Sequence, residues 1–276
     1  KYYQAMPARQ FQARDMANNI ELTITNLYSQ PLATNYYYNV YAQNGSRVAH
    51  YDGGHENTPS YWTNHAYQTE HAHATPQVNF TYPTTGSKEV YTIEHVLTEG
   101  TSGDIHKGND TLRFEQKLTN YYAYDDGVPE NGYGISSTSS KLWIACRYDI
   151  HVEDTLSAVD FYFNPTRNNE NTSVKFYLCV WSNNNGAPGS ILYKDPVKSS
   201  ISLGDIGSFH RYKLENALVV SDTVFIGFEQ IGSTYINLGF DRDHDARDFT
   251  YYRVSNQWQQ SILKGALMMR PCFGKS

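Results

Sequence analysis

The sequence is poor in charge, in cysteine and in long apolar runs, and each shortage excludes something. Only 18% of the 276 residues are Asp, Glu, Lys or Arg, the formal net charge is −6, and no Lys/Arg block interrupts the pattern. A nucleic-acid backbone needs a basic face, so nucleic acid is excluded as a partner. The three cysteines, Cys146, Cys179 and Cys272, are too few and too scattered for a disulfide framework and show no zinc spacing. Cys146 and Cys179 fall in apolar strand runs and read as buried free thiols, with one disulfide plus one free thiol as the alternative. There is no run of about 18 apolar residues, so the chain is not expected to span a membrane by a helix. It opens at Lys1 without Met or an apolar leader, which reads as a mature or excised fragment.

Catalytic signatures are missing too. The sequence holds no Gly-x-Ser-x-Gly elbow, no His-Glu-x-x-His, no Gly-rich phosphate loop and no cysteine in a protease context. Paired carboxylates for glycoside hydrolysis stay open, since such partners lie far apart in sequence and many acids qualify. The expectation is no enzymatic activity.

What is abundant is tyrosine, 24 residues in all, within an aromatic content of 14%. Tyr joins an apolar ring to a polar tip and suits half-buried sheet faces and wet binding surfaces. Strand signals fill the chain. Ile20, Leu22 and Ile24 alternate with Glu21, Thr23 and Thr25, and Leu112, Phe114, Gln116 and Leu118 alternate with Arg113, Glu115 and Lys117. Between these lie Tyr36–Tyr41, a hairpin dipeptide at Asn44-Gly45, and strand-like runs at Gln77–Tyr82 and Lys88–Leu97.

Eight further strands are expected in the second half: Lys141–Ile150, Leu156–Phe163, Val174–Ser182, Phe209–Leu214, Asp222–Gln230, Tyr235–Phe240, Phe249–Val254 and Gly265–Arg270. No segment carries a 3.6-residue stripe over three turns. The fold class is therefore all-β. It reads as two β-sandwich domains, an immunoglobulin-like one over 1–119 and a jelly-roll-like one over 120–276. A His-rich insertion at about 50–76 interrupts the first, since five of the ten histidines fall there without periodicity.

Between the two domains runs Asn120–Ile135, whose tyrosines and glycines enclose Asp125, Asp126 and Glu130. These acids are one candidate oxygen site for a cation. Asp241, Asp243 and Asp245, at alternate positions, are a second, with Ca²⁺ as the candidate ion. Turn capping and pairing with Arg242 and Arg247 are the competing readings, and they are preferred. Glu70-His71-Ala72-His73 with His65 or His55 has the makings of a zinc or copper site, but reads better as a wet loop. For ligand binding, Trp62 and Trp258 lie in polar surroundings and, with Tyr251 and Tyr252, are the candidate aromatic platform. Trp143 and Trp181 read as core.

Six stretches occur in order: YYAYDDGVPENGYGI, DTLSAVDFYFN, VWSNNNGAPGSILY, FHRYKL, INLGFDRDHD and GALMMRPCFG. Together they resemble secreted or surface proteins of Bacteroidetes that carry a type IX secretion sorting domain at the C-terminus. The resemblance covers the second half well and residues 77–119 moderately, where it corresponds to the family's immunoglobulin-like domain. It implies export to the extracellular space or outer cell surface. It also implies secretion or surface-assembly proteins of the outer membrane, or surface glycans, as partners. O-glycosylation at Asp-Ser/Thr-aliphatic sites, which such bacteria perform, makes Thr111, Thr155 and Thr223 acceptor candidates, against a plain strand-entry reading. The function expected is a non-enzymatic surface module for adhesion, assembly or ligand binding, with a carbohydrate-binding module of a glycan-processing system as the alternative.

Overall fold

The structure, a computed structural model, describes residues 2–20, 23–58, 60, 71–72, 77–83, 86–99, 107–136, 141–232, 234–255 and 257–274. Among them all long elements are strands, and the only helical segments are short 3₁₀ turns. The protein is all-β. The chain divides into two compact units, Gln12–Leu118 and Thr119–Ser276, and Tyr2–Phe11 belongs to the second of these. That corrects the 1–119 boundary at its N-terminal end. In this opening segment β1 (Ala5–Pro7) is bridged to Ala123, and the Gln10 amide donates to the Val152 carbonyl at 2.7 Å while accepting the Val152 N–H at 3.0 Å. Such non-local pairing leaves no periodic trace in ten residues.

The first unit is built from β2 (Thr23–Ile24), β3 (Leu32–Tyr41), β4 (Arg47–Thr58), β5 (His71–Ala72), β6 (Glu89–Glu99) and β7 (Thr111–Thr119). Its main sheet runs β4-β3-β6-β7, all antiparallel, and β2 pairs with β5. Gly45, at φ 81°, closes the β3–β4 hairpin in the left-handed region that glycine enters freely. Tyr36, Tyr38 and Val40 on alternate positions of β3 are buried. Two expectations change here. His50–Thr58 is part of β4 rather than of an irregular insertion; most of that stretch is exposed, so its alternation has no apolar half to reveal it. Gln77–Tyr82 forms no strand. Its Phe80 ring lies 6.1 Å from Tyr38 and its Tyr82 ring 4.7 Å from Tyr91, so the segment covers the sheet instead of joining the ladder.

The second unit adds β8 (Asn131–Tyr133), β9 (Lys141–Tyr162), β10 (Lys175–Asn184), β11 (Ala187–Lys194), β12 (Ser199–Ser200) and β13 (Phe209–Ile231). Then come β14 (Leu238–Asp241), β15 (Thr250–Arg253), β16 (Gln259–Gln260), β17 (Ala266–Leu267) and β18 (Met269–Phe273). One sheet runs β11-β10-β13-β9-β15-β16, with β12 on β10 and β18 on β9; a second runs β17-β14-β8. Two pairs of expected strands fuse. Lys141–Ile150 joins Leu156–Phe163 in β9, and Phe209–Leu214 joins Asp222–Gln230 in β13. Of the Asp-Thr dipeptides that read as strand entries, Asp110-Thr111 does open β7, but Asp154-Thr155 and Asp222-Thr223 sit inside these long strands, and the β9–β13 register shifts next to Asp222, whose φ is 58°. A bulge, not an end, is what the sequence encodes there. The reverse holds at Asn185-Gly186, which turns β10 into the unexpected β11 as a two-residue hairpin with both φ angles positive.

The core of this unit is aromatic. The Phe161 ring has Phe163, Phe176, Tyr212 and Phe228 at centroid distances of 5.6 to 5.9 Å. Each such fully buried ring contributes roughly 1.5–3 kcal/mol. The stretch after Asn120 is anchored in the same unit. Tyr122 and Tyr124 are buried, and their hydroxyls donate to the carbonyls of Asp149 and Arg147 at 2.9 and 2.6 Å. No helix among the described residues is long and apolar enough to cross a membrane.

Candidate functional site

The two acid runs singled out in the sequence meet. β14 pairs with β8, and the turns at their ends bring Asp126, Asp241 and His244 together with ligand atoms within 4.8 Å of one another. Asp241 is fully buried. Its Oδ1 accepts the backbone N–H groups of Asp243 and His244 at 2.8 and 3.2 Å. Its Oδ2 accepts the Asp126 N–H at 2.9 Å and faces His244 Nδ1 at 2.8 Å. Burial pushes the Asp241 carboxyl up, but the hydrogen bond from His244 and the backbone donors outweigh it and hold the group below the usual carboxylate range. The Asp241 hydrogen bond, opposed by burial, raises His244 in turn.

The remaining members of the two runs lie elsewhere. Asp125 is buried under Arg270, whose Nε is 3.1 Å from its Oδ1, and that guanidinium stacks on Phe209 at 3.8 Å. Glu130 accepts the Arg242 N–H at 2.8 Å, Asp245 pairs with Arg247 at 3.3 Å, and Asp243 is exposed. The convergent set therefore contains a histidine that an oxygen-only template passes over. All four acceptor positions of Asp241 are already used, so the arrangement ties two turns together.

The aromatic candidates separate as well. Trp62, His65 and His73 lie outside the described residues. Tyr251 and Tyr252 are neighbours in β15 and so point to opposite faces of the sheet. Tyr251 meets Phe225 edge-on at 5.3 Å, whereas Tyr252 sits opposite Ile144, whose side is core. The pair forms no single platform. Trp258 is half-buried against Trp181, 5.2 Å away and nearly perpendicular. Trp181 is core as read, but Trp143 is half-buried and packs, like Tyr251, against the buried cluster of Ala145, Cys179, Trp181 and Phe225.

The sheet face of that cluster carries the arrangement that the sequence did not reveal. Antiparallel register aligns Tyr177, Glu229, Trp143 and Arg253 in one row across β10, β13, β9 and β15. The next row holds Cys179, Gly227, Ala145 and Tyr251. A side chain at Gly227 would collide with the Ile144 carbonyl oxygen, so glycine is required at that position of the row. Lys194 reaches over the Tyr177 ring at 4.3 Å to Glu229 Oε2 at 2.8 Å, and Trp143 Nε1 donates to the same oxygen at 3.1 Å. Arg253 lies over the Trp143 ring at 4.7 Å. Glu229 is only 3% exposed, and its Oε1 has no hydrogen-bond partner among the described residues. The available signal was a lone Glu in the run Val224–Gln230, which is buried on both faces of the strand.

The remaining candidates are quickly placed. Thr111 opens β7, Thr155 is half-buried within β9, and the Thr223 hydroxyl donates to Asp149 at 2.7 Å. All three cysteines are free and buried, and burial pushes each thiol up to about 12. None is a thiolate nucleophile at neutral pH. An open cleft in the first unit, between residues 13–19 and 77–81, has Arg14 as its one charged lining residue.

No protein-family model and no curated protein matches this sequence. Among solved structures the chain is similar to the cysteine protease and lectin-like domains of Cwp84, a surface-layer-associated protein of Clostridium difficile, at 11% identity and TM-score 0.40. That match covers 67% of this chain and 46% of the other, so this chain spans about half the length of that neighbour. A variant of the clostridial protease Cwp84 after propeptide cleavage matches at 9% identity and TM-score 0.39, over 90% of this chain and 72% of the other. With a protease carrying lectin-like domains as neighbour, the non-enzymatic adhesion and assembly module expected from the sequence is withdrawn. Likeness at this level assigns no activity in its place.

Proposed function

We propose that the Glu229 face of the second unit's main sheet, with its half-buried aromatic edge, is a carbohydrate-recognition surface centred on Glu229. The observation that carries this reading is the unpartnered Oε1 of that buried carboxylate. Leaving such an oxygen unsatisfied costs about 1–3 kcal/mol or more for a charged group, and a donor from outside the chain removes that cost. Only a donor relieves it. A sugar supplies hydroxyl donors together with apolar C–H surface, and half-buried Trp143, Tyr177, Tyr251 and Trp258 supply the matching aromatic surface. Lys194, half-exposed and lying over the Tyr177 ring, holds Oε2 and leaves Oε1 as the oxygen for a ligand. An outward-facing location, implied by the resemblance to type IX cargo, supports the reading because polysaccharide is met there.

The test is a glycan array followed by calorimetry on the full chain. Wild type is expected to bind at least one oligosaccharide, and Glu229→Gln to lose that binding with its melting temperature kept. A chain that binds no glycan, or a Glu229→Gln variant that binds as wild type does, overturns the proposal.

A further inference from the structure

We infer that the ligand of this face bears a carboxylate, making it a uronic-acid-type sugar, with Arg253 as the residue that selects it. The inference rests on the carbohydrate reading above and adds a chemical class to it. Four other arginines of the unit each meet an aspartate: Arg147 with Asp149, Arg211 with Asp160, Arg247 with Asp245 and Arg270 with Asp125. Arg253 is half-buried, yet among the described residues no carboxylate faces it. Its Nε donates to the Ser255 carbonyl at 2.9 Å, and its planar group lies over the Trp143 ring. Both terminal nitrogens are left without a protein acceptor among the described residues. Such a fork fits a carboxylate bidentately, which an ammonium does not do.

The charge balance of the row agrees. Lys194 and Glu229 neutralise each other at 2.8 Å, so Arg253 leaves the row positive in a chain of net charge −6. The spacing agrees too. Arg253 and Glu229 come from the strands on either side of Trp143, their backbones two strand spacings or roughly 10 Å apart and both side chains meeting Trp143. A short oligosaccharide spans that distance, with a hydroxyl on Oε1 at one end and its carboxylate on the guanidinium at the other. Trp143 links the two residues, donating to Glu229 Oε2 and lying under the Arg253 guanidinium.

The probes are uronate oligomers (galacturonate, glucuronate and mannuronate), their methyl esters of equal length, neutral oligomers and a sulfated oligomer, titrated into the full chain. The ester keeps the shape and removes the charge. Uronates are expected to bind at least about tenfold more tightly than their esters, the range of a charged hydrogen bond. That preference should shrink with added salt. Arg253→Gln should bind acid and ester alike, and Arg253→Lys should recover only part of the preference, with both melting temperatures confirming the fold. Equal affinity of wild type for acid and ester, or tightest binding of the sulfated or a neutral oligomer, overturns the inference and leaves the carbohydrate reading standing. Binding of no oligomer overturns both.

Discussion

Two buried carboxylates of the second unit, Asp241 and Glu229, are equally hidden and oppositely served. Asp241 has every acceptor position filled by the turns it joins, through three backbone N–H groups and His244. Glu229 gives one oxygen to Trp143 and Lys194, and its other oxygen has no partner among the described residues. Burial alone therefore does not mark a functional acid. Asp241 has the residue type and company of a metal ligand and does the work of a cap, while Glu229, which no motif announces, has capacity left for a partner from outside.

The amide isosteres break this comparison most sharply. In Asp241→Asn an NH₂ group must face backbone N–H donors, and the bond to His244 loses its charge. The expected cost is about 2–4 kcal/mol, from donors left unsatisfied in a buried site. In Glu229→Gln the amide oxygen keeps Trp143 and Lys194, and the NH₂ group takes the position where no protein donor points. The expected cost is under about 1 kcal/mol, the range of an ion pair whose cation keeps access to water, as Lys194 does. Chemical denaturation of the two variants beside wild type measures both. Equal losses would mean that Glu229 is as structural as Asp241, and the carbohydrate reading would lose its foundation.

The contrast also explains what was readable in the sequence. Period-two alternation made the strands and the all-β class visible, because strands such as β3 and β9 bury one face more deeply than the other. It failed where that condition fails. β4 is exposed along most of its length, and Gln77–Tyr82 alternates because it covers a sheet. Bulges at Asp-Thr positions mimicked strand ends, since an Asp beside a register shift and an Asp at a strand entry look alike in one dimension. The acids near 125 and 241 were found as candidates, but that they converge, and that His244 joins them, depends on a β8–β14 pairing across about a hundred residues. Glu229 was missed for a related reason. Its significance lies in the Tyr177–Trp143–Arg253 row, and every member of that row comes from a different strand.

A smaller effect sharpens the comparison through pH. His244 is raised above its ordinary value by Asp241, and the nearby charges of Asp126 and Asp243 act in the same direction. A raised His contributes stability that is fully present below the unfolded value, near 6.5, and is lost as pH rises through the folded value. Asp241 is lowered, so its contribution is present above the unfolded value, about 4, and is lost as pH falls through the folded one. The pair is thus strongest between about pH 4 and 6.5 and weakens on the alkaline side. Melting temperature followed from pH 5 to 9 should decline more in wild type than in His244→Gln, which removes the titrating group. Parallel curves for the two proteins would show that Asp241 is held by its backbone donors alone.

The smallest expected effect is none at all, and it bears on the metal reading of the same cluster. Asp126, Asp241 and His244 lie close enough to hold a cation. However, a cation competes for Asp241 lone pairs that already accept four hydrogen bonds, and it must displace the proton that Asp241 favours on His244. A ligand that binds only the native state raises the melting temperature in proportion to RT ln(1 + [L]/Kd). Millimolar Ca²⁺ or excess chelator should therefore leave the transition where it is, in wild type and in Asp126→Asn alike. A calcium-dependent rise that disappears in Asp126→Asn would make Asp241 a ligand as well as a cap, and the division drawn between it and Glu229 would no longer hold.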